Sequence, residues 1–357
     1  MWNYWYSQRR GIVLFVLTIL ILILILLVLL GNQWLLKAIT PGTSAIEVWE
    51  VGEPVNSVAF SPDGQLVAVG SAKGNIWIRS EEDGSVIKVF TEHDSKINVL
   101  KFSPDGHLLA SVSADGVRLW QVNGDGPSRL IGQIEAEYWL RDDALQEIAF
   151  SREGDILAVP NLDGAVQMWN IDRNSATLIP ETIPAQGPEV SALAFDYDGQ
   201  SVTVGYVDST VRNWRLPDGQ LLFTREQYRD QYNTVKSIAF DPSGQTIAIA
   251  RKMISEISVW QVTSGVHLST FTDHRTDIYS SAFSPDGQLI ASGSGRSLIS
   301  EEVQDNTIYV WHVSDAAVLS KLTGHTDSVN SLAWSPEGTI LVSGSEDGTV
   351  RLWQIVK

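Results

Sequence analysis

The stretch FSPDGQLVAVGS at residues 60–71 recurs as FSPDGHLLASVS at 102–113, FSPDGQLIASGS at 283–294 and WSPEGTILVSGS at 334–345. Looser copies stand between them: FSREGDILAVPN (150–161), FDYDGQSVTVGY (195–206) and FDPSGQTIAIAR (240–251). Their glycines (Gly64, Gly106, Gly154, Gly199, Gly244, Gly287 and Gly338) recur at intervals of 42 to 51 residues. A unit of that size is one supersecondary element. It cannot bury its own hydrophobic face, so successive units must stack.

Each unit reads as β structure. A short apolar segment such as VNSLAW (329–334) leads into the turn. There Pro presets φ, Asp or Glu supplies turn hydrogen bonds, and Gly tolerates positive φ. The apolar run Ile340, Leu341, Val342 then fits a strand covered on both faces. A second turn, EDG at 346–348, leads to a third strand, TVRLWQI at 349–355. No stretch within the repeats carries a helical period. The pattern is hairpin upon hairpin, a four-stranded antiparallel sheet repeated seven times.

The run GHTDSVNSLAWSPEGTILVSGSEDGTVRLW (324–353) resembles a nearly complete WD repeat. The resemblance extends over all seven units and implies an all-β, seven-bladed β-propeller of four-stranded antiparallel blades. The family's stabilising tetrad would fall on His325, Ser343, Asp347 and Trp353 in the last unit. In the second it would be His93, Ser111, Asp115 and Trp120, and in the sixth His274, Ser292, Asp305 and Trp311. The strand tryptophan also recurs as Trp169, Trp214 and Trp260. Departures are visible. The first unit has Val69, Lys73 and Arg79 where Ser, Asp and Trp are expected, and units three to five have Val159, Val204 and Ile249 in the serine place. Those blades are expected to lack the complete polar network.

A propeller must close, because an open edge strand invites aggregation. The last unit ends at its third strand, so its fourth is expected from AIEVWEV (45–51), just before the first unit. The propeller then spans 45–357. Before it stands IVLFVLTILILILILLVLL (12–30), apolar throughout except Thr18. Nineteen such residues span roughly 30 Å of hydrocarbon as a helix. No small-residue cleavage site follows promptly, which favours an uncleaved anchor over a signal peptide. Trp2, Tyr4, Trp5 and Tyr6 on one side and Trp34 on the other fit interfacial belts. The organisation expected is an N-terminal flank (1–11), a transmembrane helix in the lipid bilayer (12–30), a linker (31–44) and the propeller. Arg9 and Arg10 before the span, against Lys37 after it, place the N-terminus in the cytoplasm and the propeller on the extracytoplasmic side.

Residues 1–37 hold three basic and no acidic residues, leaving 22 basic against 42 acidic in the remainder. An acidic disc repels phosphate backbones, which argues against a nucleic-acid partner. The chain has no cysteine, so thiol chemistry and cysteine-ligated zinc are absent. Of six histidines, three fall on tetrad positions; His107, His267 and His312 form no metal-binding spacing. DYDG (196–199) resembles the start of a calcium loop, but later ligands do not follow in register, and a turn is the simpler reading. No catalytic, cofactor or metal site is assigned.

Three function classes remain: an interaction scaffold, which the resemblance implies; an enzyme or small-ligand receptor using the central channel; and a structural spacer. The insertions favour the first. They cluster at 123–146, 224–234, 251–256 and 295–306, and most can be placed on one face of the disc, opposite the S-P-D-G turns. They carry Tyr138, Trp139, Arg141, Tyr228, Arg229, Tyr232, Arg251 and Lys252, with Arg275 on the next connection. Tyr, Trp and Arg are enriched at binding hot spots. The expectation is an unidentified protein partner held by this distal face. Drift of surface loops is the alternative.

Overall fold

The computed structural model describes residues 45–122, 129–134, 147–161, 163–171, 176–184, 189–196, 198–206, 208, 210–216, 218–225, 235–241, 243–251, 255–262, 264–296 and 304–356. They form seven four-stranded antiparallel sheets. The innermost strands of blades 1 to 7 are Val55–Phe60, Val99–Phe102, Ala149–Phe150, Val190–Phe195, Val235–Phe240, Ile278–Phe283 and Val329–Trp334. The outermost strands of blades 1 to 6 are Val86–Phe90, Arg129–Ile134, Ala176–Ile183, Leu221–Arg225, His267–Phe271 and Val318–Leu322. The expanded stretch at 123–146, whose length leaves room for strand four, does contain that blade's fourth strand, Arg129–Ile134. The proposed anchor, 12–30, lies outside the described residues. Among the described residues no helix is long and apolar enough to cross a membrane.

The recurrent stretch is explained by its turn. Ser61 Oγ donates to Asp63 Oδ1 at 2.5 Å and accepts from the Leu66 N–H at 2.9 Å, while Asp63 Oδ1 also accepts from the Gln65 N–H at 3.1 Å. Gly64 sits at φ 72°, which a side chain would resist. The looser copies keep the geometry with other chemistry: the Asp196 and Asp241 carboxylates accept from the Ser201 and Thr246 N–H groups at 3.0 and 2.8 Å. The DYDG carboxylates are thus part of a turn, and no metal-binding cluster occurs among the described residues.

The fourth strand of blade 7 is Glu47–Glu50, paired antiparallel with Thr349–Gln354, with Glu47 opposite Leu352 and Glu50 opposite Thr349. The Ile46 N–H extends the ladder to the Leu352 carbonyl at 2.8 Å. Both ends of the propeller thus share one sheet, and Glu47–Glu50 starts on the S-P-D-G face. Trp49 is buried, whereas Val48 is exposed. Where Arg79 replaces the repeat's tryptophan, its guanidinium lies 5.5 Å from the centroid of the Trp49 ring and donates to the Gly84 carbonyl at 3.1 Å. A cation–π contact across the closing seam stands in for an aromatic within the blade.

The core is seven apolar clusters, one for each pair of neighbouring blades. Blade-to-blade approach is close. A Cβ on Gly344 of blade 7 would lie 2.5 Å from Val55 Cγ1 of blade 1.

Candidate functional site

The tetrad in blade 7 is a continuous relay. Trp353 Nε1 donates to Ser343 Oγ at 2.8 Å, Ser343 Oγ lies 2.7 Å from His325 Nε2, and His325 Nδ1 lies 2.9 Å from Asp347 Oδ2. Each bond is satisfied if the imidazole is neutral, with its proton on Nδ1 and Nε2 accepting from the serine. Burial pushes the His325 imidazole down, only partly offset by Asp347. Burial alone would raise the Asp347 carboxyl. Hydrogen bonds from His325, Thr349 and the Thr326 N–H outweigh it and hold the group well below the ordinary carboxylate range. Asp347 also accepts the Thr326 N–H at 2.9 Å, so the relay ties the connection from blade 6 to the interior of blade 7.

Blade 2 repeats the arrangement with an added cation. His93 lies 2.7 Å from Ser111 and 2.6 Å from Asp115, and Trp120 Nε1 donates to Ser111 at 2.8 Å. Arg118 reaches both His93 and Asp115, the latter at 2.6 Å. Burial lowers the His93 pKa, and Arg118 adds to the effect against the pull of Asp115. In blade 6, His274 and Trp311 meet Ser292 at 2.7 and 2.8 Å, but Asp305 stays 3.7 Å from His274 Nδ1. Asp305 accepts the Arg275 N–H at 3.1 Å instead. Blades 3 to 5, with Val159, Val204 and Ile249, leave the buried indole nitrogens of Trp169, Trp214 and Trp260 without an acceptor.

These three histidines therefore serve packing and hydrogen bonding inside blades. The chemistry they offer is structural.

A central lumen of about 1020 Å³ runs between the innermost strands. Each strand ends in an aromatic residue that reaches the lumen, and the residue before it is alanine in six blades. Blade 2 has Lys101 there, which meets Glu147 of blade 3 at 2.6 Å as an ion pair. This pair in the lumen wall was not singled out from the sequence. Aligning the seven strand ends would have found it, because only one carries a charge.

Of the residues expected to bind a partner, Arg275 is exposed on the connection from blade 5 to blade 6. Arg251 ends the strand Thr246–Arg251, opposite Glu256. Tyr138, Trp139, Arg141, Tyr228, Arg229, Tyr232 and Lys252 lie outside the described residues. Arg296, on the same face as Arg275, pairs with Asp327 at 2.5 Å.

Comparison with known families matches residues 84–121, 180–215, 265–312 and 317–354 to the WD domain, G-beta repeat, and residues 43–96 to the anaphase-promoting complex subunit 4 WD40 domain. The chain is 39% identical over 87 residues to a periodic tryptophan protein 2 homolog of Neurospora crassa, covering 24% of this chain and 9% of that protein. It is 29% identical over 112 residues to the protein ROOT INITIATION DEFECTIVE 3 of Arabidopsis thaliana, covering 31% of this chain and 25% of the relative. The matches thus span a quarter or less of these relatives' lengths. A solved chain from the mitotic checkpoint complex superposes with a TM-score of 0.72 over 88% of this chain and 93% of its own, at 21% identity, which establishes likeness of fold. With four stretches matched to the WD repeat, a fifth to a WD40 domain, and seven four-stranded blades closed into a ring, the chain carries WD40 repeats and is a WD40-type β-propeller.

Proposed function

We propose that this propeller is a membrane-tethered, non-catalytic scaffold that holds a protein partner on its distal face, opposite the S-P-D-G turns. The observation that carries the reading is how the tetrads use their histidines: all three are committed to bonds inside blades. The surface loops differ most in length from blade to blade, and a repeated scaffold with variable loops is a binding platform. The family likeness supports this reading, and the superposing chain is itself part of a multiprotein complex. Arg275 and the aromatic and basic residues of the insertions are the proposed contacts. The tether rests on the apolar run at 12–30, and the flanking charges favour the propeller on the extracytoplasmic side.

Two experiments test this. Trp139→Ala with Arg229→Ala should abolish capture of the partner from detergent-solubilised cells without lowering thermal stability, whereas substituting Gln65 and Gln288 should not. Capture unaffected by the first pair and lost with the second would reject the distal face. A reporter active only outside the cytoplasm, fused after Lys357, should be active; activity of a cytoplasm-only reporter would reverse the orientation. A second reading, a small ligand in the lumen, is favoured by the Lys101–Glu147 pair in its wall. Lys101→Ala would then abolish binding while leaving protein capture intact.

A further inference from the structure

We infer that the rim of blade 1 is a second interaction surface, where the outer edge of the strand Val86–Phe90 takes up an extended partner segment that is apolar at its centre and basic at both ends. This strand is the outermost of its sheet, paired on one side with Ile76–Ser80 and with nothing on the other among the described residues. Alternate residues of an edge strand turn their N–H and C=O groups outward, which makes the edge a template for another strand. The side chains along it are apolar and bare. Val86, Ile87 and Val89 are 47, 58 and 44% exposed, three large apolar residues in a strand of five. Folded proteins commonly guard such an edge with a proline or a projecting lysine. No proline interrupts Val86–Phe90, and its one charge, the Lys88 ammonium, is folded back to 5.5 Å from the centroid of the buried Phe90 ring.

The other outermost strands do not combine these features. Glu47–Glu50 carries a carboxylate at each end, Ala176–Ile183 contains Pro180, and Arg129–Ile134 contains Gly132. His267–Phe271 and Val318–Leu322 hold Ser269 and Ser320 at their centres. The nearest rival is Leu221–Arg225 of blade 4, with Leu221 and Leu222 exposed. The turn before it is neutralised, because Arg215 holds Asp218 at 2.6 Å. In blade 1 both ends stay acidic. Exposed Glu82 and Asp83 precede the strand, exposed Glu92 and Asp94 follow it, and none of these forms an ion pair among the described residues. Carboxylates at both ends of an apolar edge define the occupant by charge complementarity: an apolar run along Val86–Phe90, with lysine or arginine reaching the acids on either side. A second copy of the chain does not fit. Antiparallel self-pairing would set Glu82 and Asp83 of one copy against Glu92 and Asp94 of the other, and Lys88 near its own counterpart.

Main-chain hydrogen bonds along the edge supply affinity, while the apolar side chains and the terminal charges supply selectivity. The test uses the full chain in detergent and a fluorescently labelled synthetic peptide of alternating valine and threonine with paired arginines at both ends, followed by anisotropy. The peptide should bind, weaken as salt is raised, and bind about tenfold more tightly than the same peptide ended in glutamates. N-methylation of its amides should abolish binding, because it removes the edge hydrogen bonds and keeps the side chains. Ile87→Arg should weaken binding about tenfold or more without lowering the melting temperature, whereas Leu222→Arg on blade 4 should leave it unchanged. Glu82→Lys with Glu92→Lys should reverse the preference between the two peptides. Several results would overturn the inference: no binding of the arginine-ended peptide, binding indifferent to N-methylation, equal loss with Leu222→Arg, or a preference unmoved by the charge reversal. An oligomer that forms without peptide and dissociates with Ile87→Arg would overturn it too, by assigning the edge to a second copy.

Discussion

Removing one hydroxyl, Ser343→Ala, measures what the tetrad contributes to the last blade. Ser343 Oγ is the hydrogen-bond partner of two buried groups, the Trp353 indole N–H at 2.8 Å and His325 Nε2 at 2.7 Å. Trp353 is 0% exposed, so water cannot replace the lost acceptor without a rearrangement of the blade. A buried polar group left unsatisfied costs about 1–3 kcal/mol, and both are orphaned by the same atom, so a loss of about 3 kcal/mol is expected. The contrast is Val159→Ser in blade 3, where Trp169 has no acceptor. There the gained hydrogen bond, worth about 1 kcal/mol, offsets about as much lost methyl burial, leaving a change near zero. Urea unfolding of the full chain in detergent, followed by tryptophan fluorescence, compares the two. A Ser343→Ala cost below about 0.5 kcal/mol, or costs equal in the two variants, would refute the view that indole acceptors decide blade stability.

Deleting residues 43–51 removes the strand Glu47–Glu50 and should lower the melting temperature or cause aggregation through the bared edge of Thr349–Gln354, although no repeat is touched. Equal melting of deleted and intact chains would count against closure by this strand. Gly344→Val should destabilise by about 2 kcal/mol or more, because its Cβ would sit 2.5 Å from Val55 Cγ1 in the neighbouring blade, and a differential scanning trace checks it. Stability should also fall on acidification. Folding lowers the pKa of His93 and His325, so the unfolded chain binds more protons below its ordinary value near 6.5, and the stability present at neutral pH is lost as pH falls through that region. Lowered carboxyls at Asp115, Asp305 and Asp347 extend the loss below about pH 4, and His93→Gln with His325→Gln should flatten only the upper part, read from melting temperatures between pH 7 and 4.

The seven blades were legible because their turns demand particular residue types at fixed offsets: a serine or aspartate to accept the N–H five residues on, and a glycine at positive φ. The valines and isoleucine in the serine place were visible too, and the buried indole nitrogens of blades 3 to 5 are their direct consequence. Contacts between blades were less legible. Arg79 looked like a mere departure from the repeat, since its partner Trp49 belongs to another blade and to no repeating pattern. Arg118 beside His93 and Asp115 depends on the path of one turn, which residue spacing leaves open. Hot-spot residue types in the insertions give composition without geometry, so among them Arg275 alone has both a defined backbone bond and a described exposed side chain.

The scaffold reading is tested most directly by photo-crosslinking in cells. A photoreactive residue is placed at Arg275, exposed on the distal face, or at Gln288, exposed beside an S-P-D-G turn. The account predicts one discrete protein adduct from position 275 and none from 288. An adduct from 288 alone, or none from either position, would contradict it.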